Sequence, residues 1–107
     1  MRDDHGRVFD ILEAISRIER VYIEGKKKFG EDEMAQVWVI HHLEIIGEAA
    51  RGISEEFKDS HGEIPWSEMI GMRNILIHQY FGIDKEAVWQ VVEKDLPVLK
   101  SHFKKYL

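Results

Sequence analysis

Glu31-Asp32-Glu33-Met34-Ala35-Gln36-Val37-Trp38-Val39-Ile40-His41-His42-Leu43-Glu44-Ile45-Ile46-Gly47-Glu48-Ala49-Ala50-Arg51-Gly52 reads as one long helix. Its acidic start suits the positive end of the helix dipole. Met34, Val37, Trp38, His41, Leu43, Ile45, Ile46 and Ala49 cover more than one face of it. A helix apolar on more than one side needs neighbours on more than one side. It is therefore expected to be the most buried helix of a bundle.

The flanks supply those neighbours. From about Asp4 to Gly25, residues Val8, Ile11, Leu12, Ile15, Ile18 and Tyr22 recur at spacings of three and four, one apolar stripe on a helix. Gly25 and Lys26-Lys27-Lys28 read as its C-terminal end. Ser54 suits the N-cap of a short helix through Phe57, and 58–63 read as a loop. Pro65 opens a further helix carrying Trp66, Met69, Ile70 and Met72, which the Phe81-Gly82-Ile83-Asp84 stretch breaks. Asp84 caps the last one, with Val88, Trp89, Val91, Val92 and Leu96 on its apolar side. Pro97 should kink or restart that helix before its tail of Leu99, Phe103 and Leu107. No alternation of period two is long enough for a sheet. The expectation is a single all-α domain over 1–107, an antiparallel helical bundle of four main helices plus a short one.

Composition bounds the function. Apolar residues make up 44 % of the 107 and charged residues 33 %, the balance of a folded amphipathic helical protein rather than a disordered one. There is no cysteine, which removes disulfides, thiolate metal sites and cysteine nucleophiles and fits a reducing cytoplasm. No uncharged run approaches the roughly 20 residues that span a bilayer, and no membrane association is expected. The net charge of −5 argues against a general nucleic-acid binder, which draws its affinity from neutralising phosphates. It leaves room for a small cleft that holds one phosphodiester.

The chemistry concentrates in Arg73-Asn74-Ile75-Leu76-Ile77-His78-Gln79-Tyr80-Phe81. Continued as a helix, the segment puts Arg73, Ile77 and Tyr80 on one face and Asn74 with His78 on the next. Histidine can take a proton from a ribose 2′-hydroxyl or return one to a leaving 5′-oxygen near neutral pH. A guanidinium can grip a phosphate bidentately and stabilise charge as it builds. Asn74 can orient the imidazole or the phosphate, and Tyr80 offers a hydroxyl. On spacing alone, a structural role, satisfying carboxylates and carbonyls between helices, fits the same residues better.

Arg73-x4-His78-x-Tyr80 resembles the Arg-x4-6-His signature of the HEPN superfamily, in the form found in its HepT-like branch. The flanks Ile45-Ile46-Gly47-Glu48-Ala49-Ala50, Ile64-Pro65-Trp66, Gly71-Met72-Arg73-Asn74, Val88-Trp89 and Asp95-Leu96-Pro97 are similar as well. The resemblance covers nearly the whole chain. It implies a helical bundle that forms a homodimer and pools two motifs in one cleft. It further implies a metal-independent endoribonuclease, the toxin of a toxin–antitoxin pair. The implied partner is a minimal nucleotidyltransferase antitoxin that transfers AMP to the motif tyrosine. By position, Arg73 and His78 become catalytic, Asn74 accessory and Tyr80 the AMP acceptor, with RNA as substrate and no cofactor. The alternative is a non-catalytic nucleotide-binding or regulatory partner of a nucleotidyltransferase, or a plain helical interaction module.

Two further groups invite a role. His41, Glu44 and Glu48 share a helix face, but carboxylate-bridged metal bundles use Glu-x-x-His on two helices, and here the order is reversed and occurs once. No metal site is expected there; Glu48 could instead pair with Arg73 or His78. Trp38, Trp66 and Trp89, on three different helices, read as core or dimer contacts rather than stacking platforms for bases.

Overall fold

The computed structural model describes residues 2–78 and 82–106, with 72–78 described through their backbone. Its helices are α1 (Asp4–Tyr22), α2 (Lys26–Glu31), α3 (Glu33–Gly52), α4 (Glu55–Ser60), α5 (Trp66–Leu76), α6 (Lys85–Gln90) and α7 (Leu96–Lys104). Between α6 and α7, residues Val91–Asp95 form a π-helical turn, so 85–104 is one continuous, locally widened helix. Pro97 accounts for the widening. It has no N–H to donate, and its ring would collide with the carbonyl four residues back. The Leu96 N–H instead reaches the Val91 carbonyl, and α7 restarts with the proline in its first turn. Counting 85–104 once, the described residues hold six helices in an all-α bundle.

Ser54 and Asp84 cap their helices as expected, and Asp3 and Asp32 do so as well. Asp3, Asp32, Ser54 and Asp84 each accept a backbone N–H in the first turn of the helix that follows. The lysine run departs from its expected place. α1 stops at Tyr22, and Lys26-Lys27-Lys28 open a separate helix, α2, whose Phe29 is driven into the core. Gln36 of α3 secures it, its buried amide donating to the carbonyls of Phe29 (2.9 Å) and Gly30 (3.3 Å). α4 likewise covers the first half of the expected 58–63 loop.

α3 runs through the centre, packed chiefly against α1 and α5. Val8, Ile11, Ile15 and Ile18 of α1 meet Val39, Leu43, Ile46 and Ala50 of α3 in one core, closed by Val88, Trp89, Leu99 and Phe103. Trp89 is stacked against Tyr22 at 5.3 Å and lies 5.4 Å from Phe29, tying α6 to α1 and α2. At the far end, Asp4 accepts from the Ser54 N–H (2.8 Å) and hydroxyl (2.6 Å). Those hydrogen bonds hold the Asp4 carboxyl below its ordinary pKa. Lys100 reaches Glu19 at 2.9 Å and docks α7 on α1. Among the described residues, no helix is long and apolar enough to cross a membrane.

Candidate functional site

α5 is placed by its contact with α3. A Cβ on Gly47 would lie only 3.2 Å from the Met69 carbonyl oxygen and 3.6 Å from that of Ile70. The bare glycine lets the two helix backbones approach closely, where a larger side chain would press on the α5 backbone. Gly costs about 1 kcal/mol relative to Ala inside a helix, so its presence here is explained by packing rather than propensity. Met69 is buried in the resulting contact.

The motif then begins in the last turns of α5, which hold Arg73 and Asn74, and crosses out of it. The helix ends at Leu76, earlier than the sequence suggested. Ile77–His78 is a two-residue strand paired antiparallel with Gly82–Ile83, with Ile77 opposite Ile83 and His78 opposite Gly82. The expected helical stacking of Ile77 on Arg73, and of His78 on Asn74, therefore does not arise from a continuous helix. Two effects favour the early stop. β-Branched Ile75 and Ile77 lose side-chain freedom in a helix and suit extended backbone. Gly82, at φ 79°, takes the left-handed conformation in which the chain enters the second strand. Arg73 and Asn74 thus sit at a helix C-terminus and His78 just beyond it on a short extended arm. Tyr80, assigned above as AMP acceptor, lies outside the described residues.

The surroundings fix which end of the bundle this is. Immediately after the second strand, Lys85 donates to the Gly30 carbonyl at 3.3 Å and Glu86 pairs with Lys26 at 3.1 Å. The motif arm therefore ends beside α2 and the N-terminal half of α3, and α5 runs antiparallel to α3. The Lys26-Lys27-Lys28 cluster stands at this same end, partly offset by Glu86 and by Asp32, which is 3.4 Å from Lys28.

The other candidates fall elsewhere. His42 is buried and donates from Nδ1 to the Trp38 carbonyl at 2.7 Å, a structural role. His41, Glu44 and Glu48 line a shallow surface groove with Arg7 and Asp10, and the Glu48 carboxylate lies 3.7 Å from Arg51. No three acidic or histidine side chains among the described residues are grouped to hold a metal ion. Trp89 is core. Trp66 is partly buried, its indole donating to the His61 carbonyl at 3.1 Å. Trp38 is half-exposed. Gly47 and Gly82 are the site-building residues that pattern reading undervalues; a lone glycine inside an apolar helix was the available signal.

Comparison with known proteins identifies the family. Residues 11–106 match the family model HepT-like, described as "Ribonuclease HepT-like". The chain is 43 % identical over 105 residues to "Putative RNase MJ1380" of Methanocaldococcus jannaschii, covering 94 % of this chain and 93 % of that one. It is 48 % identical over 97 residues to "Probable ribonuclease HepT" of Thermococcus cleftensis, covering 90 % and 88 %. No solved structure matches.

Proposed function

Because this chain belongs to the HepT-like ribonuclease family, we propose that it is a metal-independent endoribonuclease, the toxin of a toxin–antitoxin pair. The observation that carries the reading is the motif at the end of α5, within a family match spanning residues 11–106. In the proposed reaction, His78 takes the proton of a ribose 2′-hydroxyl as that oxygen attacks the adjacent phosphorus. The bond to the 5′-oxygen breaks and that oxygen acquires a proton, leaving a 2′,3′-cyclic phosphate and a free 5′-hydroxyl. Arg73 neutralises the charge that gathers on the non-bridging oxygens, and Asn74 orients the phosphate or the imidazole. Two copies contribute motifs to one cleft, each supplying an imidazole, which accommodates both proton transfers.

Control by a nucleotidyltransferase follows from the chemistry at Tyr80. Its hydroxyl attacks the α-phosphorus of ATP and pyrophosphate leaves, so a phosphodiester anion and a nucleoside stand two residues from His78. That group competes with the RNA backbone for Arg73 and repels it.

Purified protein incubated with total RNA in EDTA tests the proposal, alongside growth on induced expression. Wild type should fragment RNA and arrest growth, and His78→Ala should lose on the order of 10²–10⁴ in rate. Tyr80→Phe should cut RNA yet escape neutralisation by the nucleotidyltransferase. Soluble, harmless wild type that leaves RNA intact would shift the reading to a non-cleaving regulatory partner.

A further inference from the structure

His78 lies beyond the end of α5, so the Gly47 contact that seats α5 does not by itself place it. Its backbone is paired with Gly82, and that of Ile77 with Ile83. Two short paired strands make a weak hold, marginal when they stand alone. The arm is therefore only as firm as the start of α6, which follows the second strand directly. We propose that Gln36, buried on α3, is a positioning residue for His78, acting through α2 and Lys85. This role deepens the ribonuclease reading and rests on it.

The connection runs through one atom. The Gly30 carbonyl oxygen accepts from the Gln36 side-chain amide at 3.3 Å and from the Lys85 ammonium, also at 3.3 Å. Three elements meet there: α3, the last turn of α2 and the first turn of α6. Gln36 makes a second, shorter bond to the Phe29 carbonyl at 2.9 Å. Asp84, between the second strand and Lys85, is fixed as well, accepting from the Ala87 N–H at 3.1 Å.

Gln36 is the residue type this junction needs. Phe29 and Gly30 lie in the last turn of α2, where helix carbonyls run short of partners. Gln36 is only 8 % exposed, and an amide so buried is tolerated when it is hydrogen-bonded. Its one NH₂ group carries two hydrogens and reaches both carbonyls. An apolar side chain of the same length would fill the space but leave α2 without a register on α3, because apolar burial is not directional.

The chain of contacts ends at the reacting group. Gln36 holds α2, α2 holds the start of α6 through Lys85, and the strand before α6 pairs with His78. The Lys26–Glu86 pair at 3.1 Å and the Trp89 ring beside Phe29 also tie α6 to α2. Loss of the Gln36 bonds therefore displaces the arm rather than detaching it. A general base has to meet its proton at hydrogen-bond distance, and a misplacement of about 1 Å can cost about 10²-fold in rate.

The test uses the full chain. Gln36→Met keeps the side-chain volume and removes both bonds; Lys85→Met opens the other side of the junction from an exposed position. Initial rates are taken over a range of total-RNA concentrations in EDTA and expressed per folded molecule. Gln36→Met should lower kcat on the order of tenfold to 10²-fold and leave KM within about twofold. Lys85→Met should show a smaller loss of kcat. The double variant should be little worse than Gln36→Met alone, because both side chains act through the same carbonyl. Phe103→Leu, at a fully buried residue packed against Trp66 at the other end of α5, should lower stability and leave kcat unchanged.

Amide hydrogen exchange, followed residue by residue, gives a readout that needs no RNA. In Gln36→Met, the amides protected by the pairing of 77–78 with 82–83 should exchange on the order of tenfold faster, while those of Ile11 and Leu43 in the core keep their wild-type protection. Unchanged exchange in the arm, kcat equal to wild type in both junction variants, or an equal loss of kcat in Phe103→Leu would overturn the proposal. Wild type that cuts no RNA would refute the ribonuclease reading alone, and the hold of Gln36 on the arm would then stand or fall by the exchange.

Discussion

The inner and outer faces of α3 carry similar residues and meet different fates. Inward, Val39, Leu43, Ile46 and Ala50 are all but sealed from water against α1, α5 and the C-terminal helix. Outward, Met34, Val37 and Trp38 stand in solvent. Single exposed apolar residues are ordinary, but a helical row of them is not. The difference separates what the single chain needs in order to fold from what it offers to something else. The outward face adjoins the end of the bundle where the motif leaves α5.

Truncating one residue on each face is the sharpest way to break that comparison. Ile46 is fully buried. Ile46→Ala removes its contacts and leaves a cavity, so unfolding in urea should lose about 2–5 kcal/mol. Val37→Ala removes a half-exposed side chain, and the monomer should change by no more than about 0.5 kcal/mol. Any larger loss at Val37 should grow with protein concentration, because it then reflects association. Equal, concentration-independent losses at both positions would show that the outer face belongs to the monomer's own core.

Gly47 sharpens the comparison at the point where the inner face meets the motif helix. With the Met69 carbonyl 3.2 Å from where a Cβ would stand, Gly47→Val must push α5 away. Overpacking of this kind should cost about 1–3 kcal/mol. Cleavage by the folded fraction should also fall, since α5 carries Arg73 and leads into His78. Gly47→Ala gains about 1 kcal/mol of helix propensity against a milder contact and should come out close to wild type. A Gly47→Val protein as stable and as active as wild type would refute the close-approach argument.

How far the fold was legible follows from which forces are local in sequence. The α1 stripe, the acidic start of α3 and the caps at Ser54 and Asp84 could be read directly, because three- and four-residue spacing, the helix dipole and capping chemistry need no partner. The stripe of α3 was only half readable. Periodicity shows that Met34 and Val37 are apolar, but which face turns inward depends on where α1 and α5 lie. α2 was missed because three lysines and a glycine resemble a helix end, and what makes a helix of them is Phe29 reaching the core beneath Gln36. The motif was legible as chemistry but not as shape. Its residue types suggest phosphodiester chemistry, whereas the stop at Leu76 depends on a strand pairing formed with residues further along the chain. The π turn could be anticipated only as a disturbance at Pro97.

The smallest expected effect concerns the register of α1 on α3, which both faces of α3 depend on. Asp4 fixes that register through its two hydrogen bonds from Ser54, and Ser54 also caps α4 by accepting from the Phe57 N–H at 3.1 Å. These bonds, that from the Ser54 hydroxyl first, lower the folded-state pKa of Asp4 below its ordinary 3.8. A carboxyl with a depressed folded pKa contributes stability above its unfolded pKa and loses that contribution as pH falls through the folded value. Asp4→Asn should therefore be less stable than wild type at pH 7, with the gap closing below about pH 4. Because the pair is near solvent, the gap should be smaller than the loss from Ile46→Ala. Urea unfolding at pH 7, 4 and 3 measures it. A gap that stays constant down to pH 3 would mean that the Asp4 charge does no work in the contact, and that the loss comes from asparagine offering one acceptor oxygen where the carboxyl offers two to Ser54.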